Sequence, residues 1–205
     1  MRLRALDAGA RAAIVGIALV LGWVLSLATT RVANWFVMTD ELYYERLAIS
    51  VAQTGSLLPR IHGDLVANVN QLYPVLVSFV YGNGDVPASL ESAHRLNAFV
   101  MASAAIPVYL LARRIGLGRL ASAWSGALAV AVPWIVLASF LLTEVVAYPA
   151  FCWALLALTH ATARRTTLAD TLAFASIALA VLARTQFLLL LPVFALAVAI
   201  DALFD

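Results

Sequence analysis

The sequence AAIVGIALVLGWVLSLATT, residues 12–30, decides the class of fold to which this chain belongs. It has no charged residue, and about 20 apolar residues in a helix are needed to cross the hydrocarbon core of a bilayer. Arg2, Arg4 and Arg11 precede it, as in a secretory signal. The run is longer than the roughly 7–15 apolar residues of a signal peptide and lacks a clear cleavage site. We therefore expect a retained membrane helix here.

The composition of the whole chain points the same way. Hydrophobic residues make up 64% of the 205 residues and charged residues 12%, whereas a soluble domain averages about 45–50% apolar and roughly 25% charged residues. All 13 basic residues are arginine, without an extended basic run, so we expect no binding to nucleic acid. The single cysteine, Cys152, is interpreted as a small buried side chain. The sequence predicts an all-α, polytopic transmembrane protein, with residues 1–205 forming one domain.

Hydropathy predicts about six membrane spans. They cover residues 12–30, 94–112, 120–141, 145–161, 168–183 and 186–202. The last two spans are short, and only Arg184, Thr185 and Gln186 separate them. Hydropathy alone leaves open whether they form a tight helical hairpin or one broken span.

Arginine is distributed unevenly between the two ends of these spans. If the spans alternate, eight arginines fall on one side: Arg2, Arg4, Arg11, Arg113, Arg114, Arg119, Arg164 and Arg165. Because arginine is enriched in cytoplasmic loops, that side is predicted to be cytoplasmic, and both termini with it. We expect a multi-pass protein of the inner (plasma) membrane, with the lipid bilayer as its surroundings.

The one long connection, residues 31–93, is predicted by this orientation to be an external loop. Loops of more than about 12–15 residues are usually functional or disordered, and the helical pattern of this one argues against disorder. Two pieces of it have the pattern of amphipathic helices that lie in the membrane interface. One covers residues 39–53, and the other is QLYPVLVSFVYG, residues 71–82, which is too short to span. An aromatic belt at that interface is predicted from five residues: Trp35, Tyr43, Tyr44, Tyr73 and Tyr81.

The first of these helices has a predicted start, end and buried face. Thr39 is the predicted N-cap, acids in the first turn suit the helix dipole, and Gly55 ends the helix. Apolar side chains recur at three- and four-residue steps. They define the face expected to meet apolar surroundings: Tyr43, Tyr44, Leu47, Ala48 and Val51. The other face is expected to be polar: Glu45, Arg46, Ser50 and Gln53.

Paired acids open this helix in the stretch MTDELYYERLAIS, residues 38–50. Asp40 and Glu41 have a simple interpretation as solvated acids at a helix start. Two further charges are predicted on the same side of the membrane, Glu144 in LLTEVV and Arg184 in LARTQF. A carboxylate can act as a base and an arginine can hold a phosphate. The sequence therefore also favours an external polar site covered by the long loop.

Several segments, taken in order, resemble the polytopic GT-C glycosyltransferases, which include the protein O-mannosyltransferases and the lipid A aminoarabinose transferase. TDELYYERLAISVAQTG is similar to the family's pattern of Asp-Glu, Tyr, an interfacial helix and Gly, and LLPRIHG to its Pro-Arg-x-x-Gly segment. NQLYPVLVSF stands where the family has Pro-Pro-Leu, and SFLLTE and LARTQFLLLLP match its later acid and arginine. The resemblance implies transfer of a sugar from a polyprenyl-phosphate donor, at the outer membrane face, to a glycan, lipid or protein acceptor.

The resemblance also implies roles for individual residues. Asp40 aligns with the catalytic acid, the base for the acceptor hydroxyl. Glu41 would orient the acceptor or Asp40, or help bind a divalent metal where a member uses one. The other implied contacts are to the phosphate or the substrate: Arg60, His62, Tyr73, Glu144 and Arg184. For His62 alone, the simplest interpretation is an exposed loop histidine without a role.

Two features depart from the family. Some members have a lysine before the proline pair, where this chain reads Asn70, Gln71, Leu72 and Tyr73. Members are also longer, so six spans look like an N-terminal half that needs a C-terminal half or a partner subunit. A noncatalytic remnant of that fold, or a scaffold or transporter subunit, are the alternatives. Transporters place polar groups near the middle of the membrane, whereas here they cluster at one edge, which favours chemistry at the surface.

Overall fold

The computed structural model describes residues 8–29, 38–66, 70–82, 84–131 and 134–204. The predictions for Arg2, Arg4 and Trp35 fall outside these residues. Within them the chain is helical apart from one short hairpin, which confirms the all-α class. The elements are α1 (Ala8–Thr29), α2 (Thr39–Thr54), β1 (Arg60–Ile61), β2 (Asp64–Leu65), α3 (Leu72–Ser78), α4 (Val86–Ala102), α5 (Ala105–Arg114), α6 (Arg119–Ala131), a 3-10 helix (Trp134–Ser139), α7 (Glu144–Arg164), α8 (Thr167–Ala183), a 3-10 helix (Thr185–Leu189) and α9 (Leu190–Phe204).

Five helical segments in the described part of the chain are long and apolar enough to cross a membrane. They are Gly9–Thr29, Val86–Arg114, Arg119–Ser139, Glu144–Arg164 and Thr185–Leu203. A helix of about 21 residues is roughly 31 Å long, which matches a hydrocarbon core of about 30 Å. α8 has 17 residues and falls short of that length. A membrane protein is thus supported, while the count of six spans stays a prediction.

The α8 and α9 helices form a hairpin, which answers the question that hydropathy left open. Arg184 ends α8 because its backbone is extended, with φ −152° and ψ 125°. The rings of Phe174 and Phe194 then pack edge to face, with centroids 5.6 Å apart. Farther from the turn, Arg165 and Asp201 form an ion pair with an N–O distance of 2.6 Å. The start of α8 and the end of α9 therefore lie at the same end of the molecule.

The second predicted span begins earlier than hydropathy placed it, because α4 starts at Val86 rather than near residue 94. Asp85 caps the helix, and its carboxylate accepts a hydrogen bond of 3.2 Å from the Ala88 N–H. Glu91 and Arg95 form an exposed ion pair one turn apart. These charges lower the hydropathy of the first turns. The predicted loop of residues 31–93 therefore includes the start of a long helix.

The α2 helix confirms the helix predicted over residues 39–53 and its end at Gly55, which has a φ of +66°. Its N-cap is Met38, not the predicted Thr39. The Met38 N–H donates to the Glu41 side chain at 3.0 Å, so an acid inside the helix performs the capping. Leu47, Ala48 and Val51 are buried as predicted. That α2 lies along a membrane interface stays a prediction.

The core lies where α4 and α7 meet α1, α5, α6 and the short helices α2 and α3, and a second cluster joins α7 to the α8–α9 hairpin. Tyr73 and Tyr81 belong to the first cluster, with 0% and 4% of their surface exposed. The prediction that they form part of an interfacial aromatic belt is therefore wrong. α5 and α6 approach closely at Gly126, where an added Cβ would lie 2.7 Å from the carbonyl oxygen of Ala105.

Candidate functional site

An ion pair joins the start of α7 to the end of α8. Glu144 is the first residue of α7, and Arg184 occupies the extended break after α8. The Nη1 atom of Arg184 lies 2.5 Å from Oε1 of Glu144. About a third of each side chain is exposed. A charge-assisted hydrogen bond of this kind fixes the guanidinium in position and leaves its other N–H groups for a ligand.

The α2 helix brings two side chains to the same place. Asp40 is exposed and Tyr44 is half-buried, one helical turn away on the same face. The charges of Asp40, Glu144 and Arg184 all act on the Tyr44 hydroxyl. Three predicted site residues from three separate segments therefore share one neighbourhood. That they line a single cavity stays a prediction.

The pKa of Tyr44 reflects these surroundings. Burial is the largest cause and raises the pKa of the hydroxyl. A side-chain hydrogen bond with Thr143 lowers it. The negative charges of Asp40 and Glu144 raise it, and the positive charge of Arg184 lowers it. Tyr44 is therefore held as a neutral phenol, which can donate a hydrogen bond to an anionic ligand.

Thr143 completes the group from the turn before α7. Its hydroxyl donates to Oε2 of Glu144 at 3.2 Å, and it lies close enough to Tyr44 to act on the pKa of that hydroxyl. Our sequence analysis did not predict a site role for Thr143 or Tyr44. The spacing of four residues between Asp40 and Tyr44 was a usable signal, since such residues share a helix face. No sequence signal connects Thr143 with α2.

The Glu41 side chain is buried and hydrogen-bonded to the backbone rather than open to a ligand. Only 3% of it is exposed. Oε2 accepts the Met38 N–H at 3.0 Å, and Oε1 accepts the Leu141 N–H at 3.1 Å. Glu41 therefore ties the start of α2 to the segment that leads into Thr143 and Glu144. Both oxygens predicted to orient a substrate or bind a metal already accept backbone hydrogen bonds.

Tyr73 lies beneath the site. Its hydroxyl donates to Oδ1 of Asn97 at 3.1 Å, and Nδ2 of Asn97 donates to the Phe140 carbonyl at 2.9 Å. Its ring packs edge to face against Tyr44 with centroids 6.0 Å apart. Burial raises the pKa of Tyr73 well above its usual value. Tyr73 is fully buried, so in this structure it packs against Tyr44 and is not open to a substrate as predicted.

Arg60 and His62 lie away from the other predicted residues. Both belong to the β1–β2 hairpin, which is attached to the far end of α2 by a 2.9 Å hydrogen bond from the Arg60 N–H to the Ser50 hydroxyl. Ser50 is ten residues from Asp40 along the helix, or about 15 Å. The Arg60 guanidinium donates to the Gly63 carbonyl at 2.8 Å. The structure does not bring this hairpin together with Glu144 and Arg184.

Asn70, just before α3, contacts the residue after Arg184. Oδ1 of Asn70 accepts the Thr185 N–H at 3.0 Å, directly after Arg184. Phe187 stacks on Phe151 with ring centroids 5.3 Å apart. These contacts hold the break between α8 and α9, which carries Arg184. Asn70 thus makes a backbone contact.

One predicted surface residue is buried. Glu45 was expected on the polar face of α2, but only 3% of it is exposed. Its Oε1 atom and the Tyr81 hydroxyl are buried without a hydrogen-bond partner in the described part of the chain. Burial raises the pKa of Glu45, although the charge of Arg46 lowers it. The pKa of Tyr81 is also raised, by burial first and by the charge of Glu45 second.

Metal ligands are not clustered among the residues described. No group of three or more His, Cys, Asp or Glu side chains there is placed to hold a metal ion. With Glu41 engaged by two N–H groups, Asp40 would need ligands from a substrate phosphate to bind a divalent ion.

Comparison of the chain with protein-family models, curated proteins and solved structures found no match. The site combines a partly exposed guanidinium, a neutral phenol and an exposed carboxylate. This set can bind a phosphate and accept a proton from a neighbouring hydroxyl.

Proposed function

We propose that this chain is a membrane glycosyltransferase, or the N-terminal part of one, that transfers a sugar from a polyprenyl-phosphate donor to an acceptor at the outer membrane face. The observation that carries the proposal is the convergence of Asp40, Glu144 and Arg184 on the Tyr44 hydroxyl. It joins an anion-binding group to a potential base at the end of a membrane helix. The donor has its phosphate at the headgroup level and its lipid tail in the bilayer.

The proposed reaction is a single displacement. The acceptor oxygen forms a bond to the anomeric carbon, while the bond from that carbon to the phosphate oxygen breaks. The electron pair leaves with polyprenyl phosphate, and the acceptor proton passes to Asp40. Attack opposite the leaving group inverts the anomeric centre.

The remaining residues have supporting roles in this proposal. Arg184 stabilises the charge that develops on the leaving phosphate, and Tyr44 donates a second hydrogen bond to it. Glu144 holds the guanidinium through the 2.5 Å contact. Glu41 joins the start of α2 to the segment before α7 through its hydrogen bond with the Leu141 N–H.

A scaffold or transporter is the alternative from another class. Substrate sites of transporters usually lie near the bilayer midplane, at broken helices. Here the break that carries the charged group is the one at Arg184, between α8 and α9, where the hairpin turns. The position of the charged group at the hairpin turn therefore favours chemistry on a lipid-borne substrate.

The first prediction concerns the turnover of Asp40 and Arg184 variants, measured in the complete protein or in this chain with its partner. Polyprenyl-phosphate mannose and polyprenyl-phosphate aminoarabinose serve as donors, and release of polyprenyl phosphate is measured. Asp40→Asn keeps the size but removes the proton acceptor, so turnover should fall by about a hundredfold or more. Arg184→Gln should weaken donor binding as well as turnover, because the phosphate contact exists before bond breaking.

Asp64→Asn is the matched control for this test. Asp64 is exposed in the β1–β2 hairpin of the same connection between spans, and the change is chemically identical. It should leave turnover within about twofold, as expected for a surface change outside the site. Full turnover in Asp40→Asn would rule out its role as the base. An equal loss in Asp64→Asn would show that the effect is not specific to the site.

A further inference from the structure

A second group of cationic side chains lies at the opposite end of α7. Arg164 is in the last turn of α7, and Arg114 is the last residue of α5. His160 is one helical turn before Arg164, on the same face. The charges of Arg114 and Arg164 both act on His160. Because α5 and α7 are also in contact with each other, these ends lie near one another, and we refer to Arg114, His160 and Arg164 as the arginine face.

The two arginines of this face are not neutralised by acids of the described chain. Neither Arg114 nor Arg164 has a carboxylate within ion-pair distance among those residues. The neighbouring arginines differ: Arg165 pairs with Asp201, and the Arg113 guanidinium donates to the Leu117 carbonyl at 2.6 Å. Helix C-termini offset part of this charge. Two like charges beside an imidazole still favour an added anion.

The position along the spans indicates the source of that anion. Two helical segments long enough to cross a membrane, Val86–Arg114 and Glu144–Arg164, end at these two arginines. The second is 21 residues long, or about 31 Å, close to the thickness of the hydrocarbon core. Both guanidinium groups thus lie at the depth of the lipid phosphates if these helices span. Interaction there is stronger than in open water because the surroundings are less polar.

Exposed aliphatic side chains lie beside the arginine face. Ile115 follows Arg114 directly and is 78% exposed, and Leu168 in the first turn of α8 is 71% exposed. A free anion has no contact to offer these side chains. A phospholipid brings acyl chains together with its phosphate, so it satisfies both parts of the surface.

We propose that Arg114, Arg164 and His160 bind the phosphate of an anionic phospholipid headgroup at the membrane face opposite the Glu144–Arg184 pair. The guanidinium groups hold the phosphate oxygens by charge-assisted hydrogen bonds, and the imidazole adds a third donor. Ile115 and Leu168 contact the acyl chains. This binding is independent of the proposed glycosyltransferase reaction, because it uses none of the same residues.

The second prediction tests this site with the full chain purified in a neutral detergent. Phosphatidylglycerol, phosphatidylcholine and inorganic phosphate are added separately, and lipid binding and the thermal midpoint are measured. Phosphatidylglycerol should bind in preference to phosphatidylcholine and raise the midpoint. In the double variant Arg114→Gln, Arg164→Gln the affinity for phosphatidylglycerol should fall at least about tenfold, since each change removes a hydrogen bond to a charged group.

The matched control is the double variant Arg46→Gln, Arg95→Gln, which removes two exposed arginines away from this face. It should keep the preference for phosphatidylglycerol. An equal loss in the control would show attraction by net charge alone and overturn the site. Stabilisation by inorganic phosphate equal to that by phosphatidylglycerol would overturn the lipid as ligand. If the double variant does not fold, the two single variants are measured, and an unchanged preference in both overturns the proposal.

Discussion

Glu41 and Glu45 lie one helical turn apart on α2, and both are buried. Their environments differ, because both oxygens of Glu41 accept backbone hydrogen bonds while Oε1 of Glu45 has no partner within the described residues. A buried carboxyl group without such bonds favours its neutral form. At the scale of single residues, the same side chain thus anchors the backbone in one position and is a buried carboxyl group with a raised pKa in the other.

The third prediction concerns the pH dependence that follows from Glu45. Its pKa is raised in the folded protein, so between the unfolded and the folded pKa the folded state binds more protons. Its contribution to stability is therefore complete below the unfolded pKa and is lost as the pH rises through the folded pKa. Glu45→Gln stays neutral, so the wild type should lose stability relative to this variant as the pH rises from about 4 upward.

Unfolding in detergent at a series of pH values measures this difference. Glu91→Gln is the control, because Glu91 is exposed and paired with Arg95. A difference between wild type and Glu45→Gln that does not change with pH would contradict the prediction. Tyr81 is a buried titratable group on which the charge of Glu45 acts, and Tyr81→Phe separates its contribution.

At the scale of elements, the small residue Gly126 permits α5 and α6 to approach closely. The fourth prediction is that Gly126→Ala destabilises the protein by about 1–3 kcal/mol, as is usual for overpacking. The added Cβ would lie 2.7 Å from the Ala105 carbonyl oxygen, which is backbone and cannot turn aside. Thermal unfolding in detergent or lipid measures the effect.

Gly16→Ala in α1 is the control for this change. No heavy atom lies within 4 Å of the Cβ that it would add. Alanine is a better helix former than glycine, so this variant should be as stable as the wild type or slightly more stable. Equal destabilisation by the two changes would contradict a specific contact between α5 and α6.

Elements that are marked by a local sequence pattern, such as apolar periodicity or a helix-ending glycine, could be predicted from sequence. The α2 helix and its end at Gly55 follow from apolar periodicity and a glycine. The burial of Glu45 could not be predicted, because the pattern marks charged residues as exposed and the contact surface belongs to other segments. The second span was predicted to start too late, at residue 94, because Glu91 and Arg95 lower the hydropathy of the first turns of α4. These turns are nevertheless helical.

The candidate site was predictable only in part for the same reason. Asp40, Glu144 and Arg184 stand out as charges at the ends of apolar runs. Tyr44 and Thr143 are uncharged and do not stand out from the apolar residues around them. Their role depends on the way α2 packs against the start of α7. Arg60 and His62 were predicted near the site by the order of segments. The order of segments gives no indication that their hairpin is hydrogen-bonded to the far end of α2.

At the scale of the whole molecule, the fifth prediction concerns orientation. Both termini should be cytoplasmic and the loop before α4 external, because arginines collect at the other ends of the spans. In a Cys152→Ser background, Asp64→Cys should react with an impermeant thiol reagent applied to intact cells. Gly118→Cys, in the exposed turn before α6, should react only after permeabilisation. The reverse pattern would contradict this orientation.

The hydrogen bond between Glu41 and the Leu141 N–H joins residues that are 100 positions apart, and the bond between Asn70 and Thr185 spans 115. Contacts of this separation form late in folding, because the intervening chain must first be ordered. During synthesis, α2 leaves the ribosome long before either partner does. The segment from α2 to α3 cannot make these two hydrogen bonds until Leu141, before α7, and Thr185, after α8, have been synthesised. These two hydrogen bonds can therefore form only after at least 100 and 115 further residues have been synthesised.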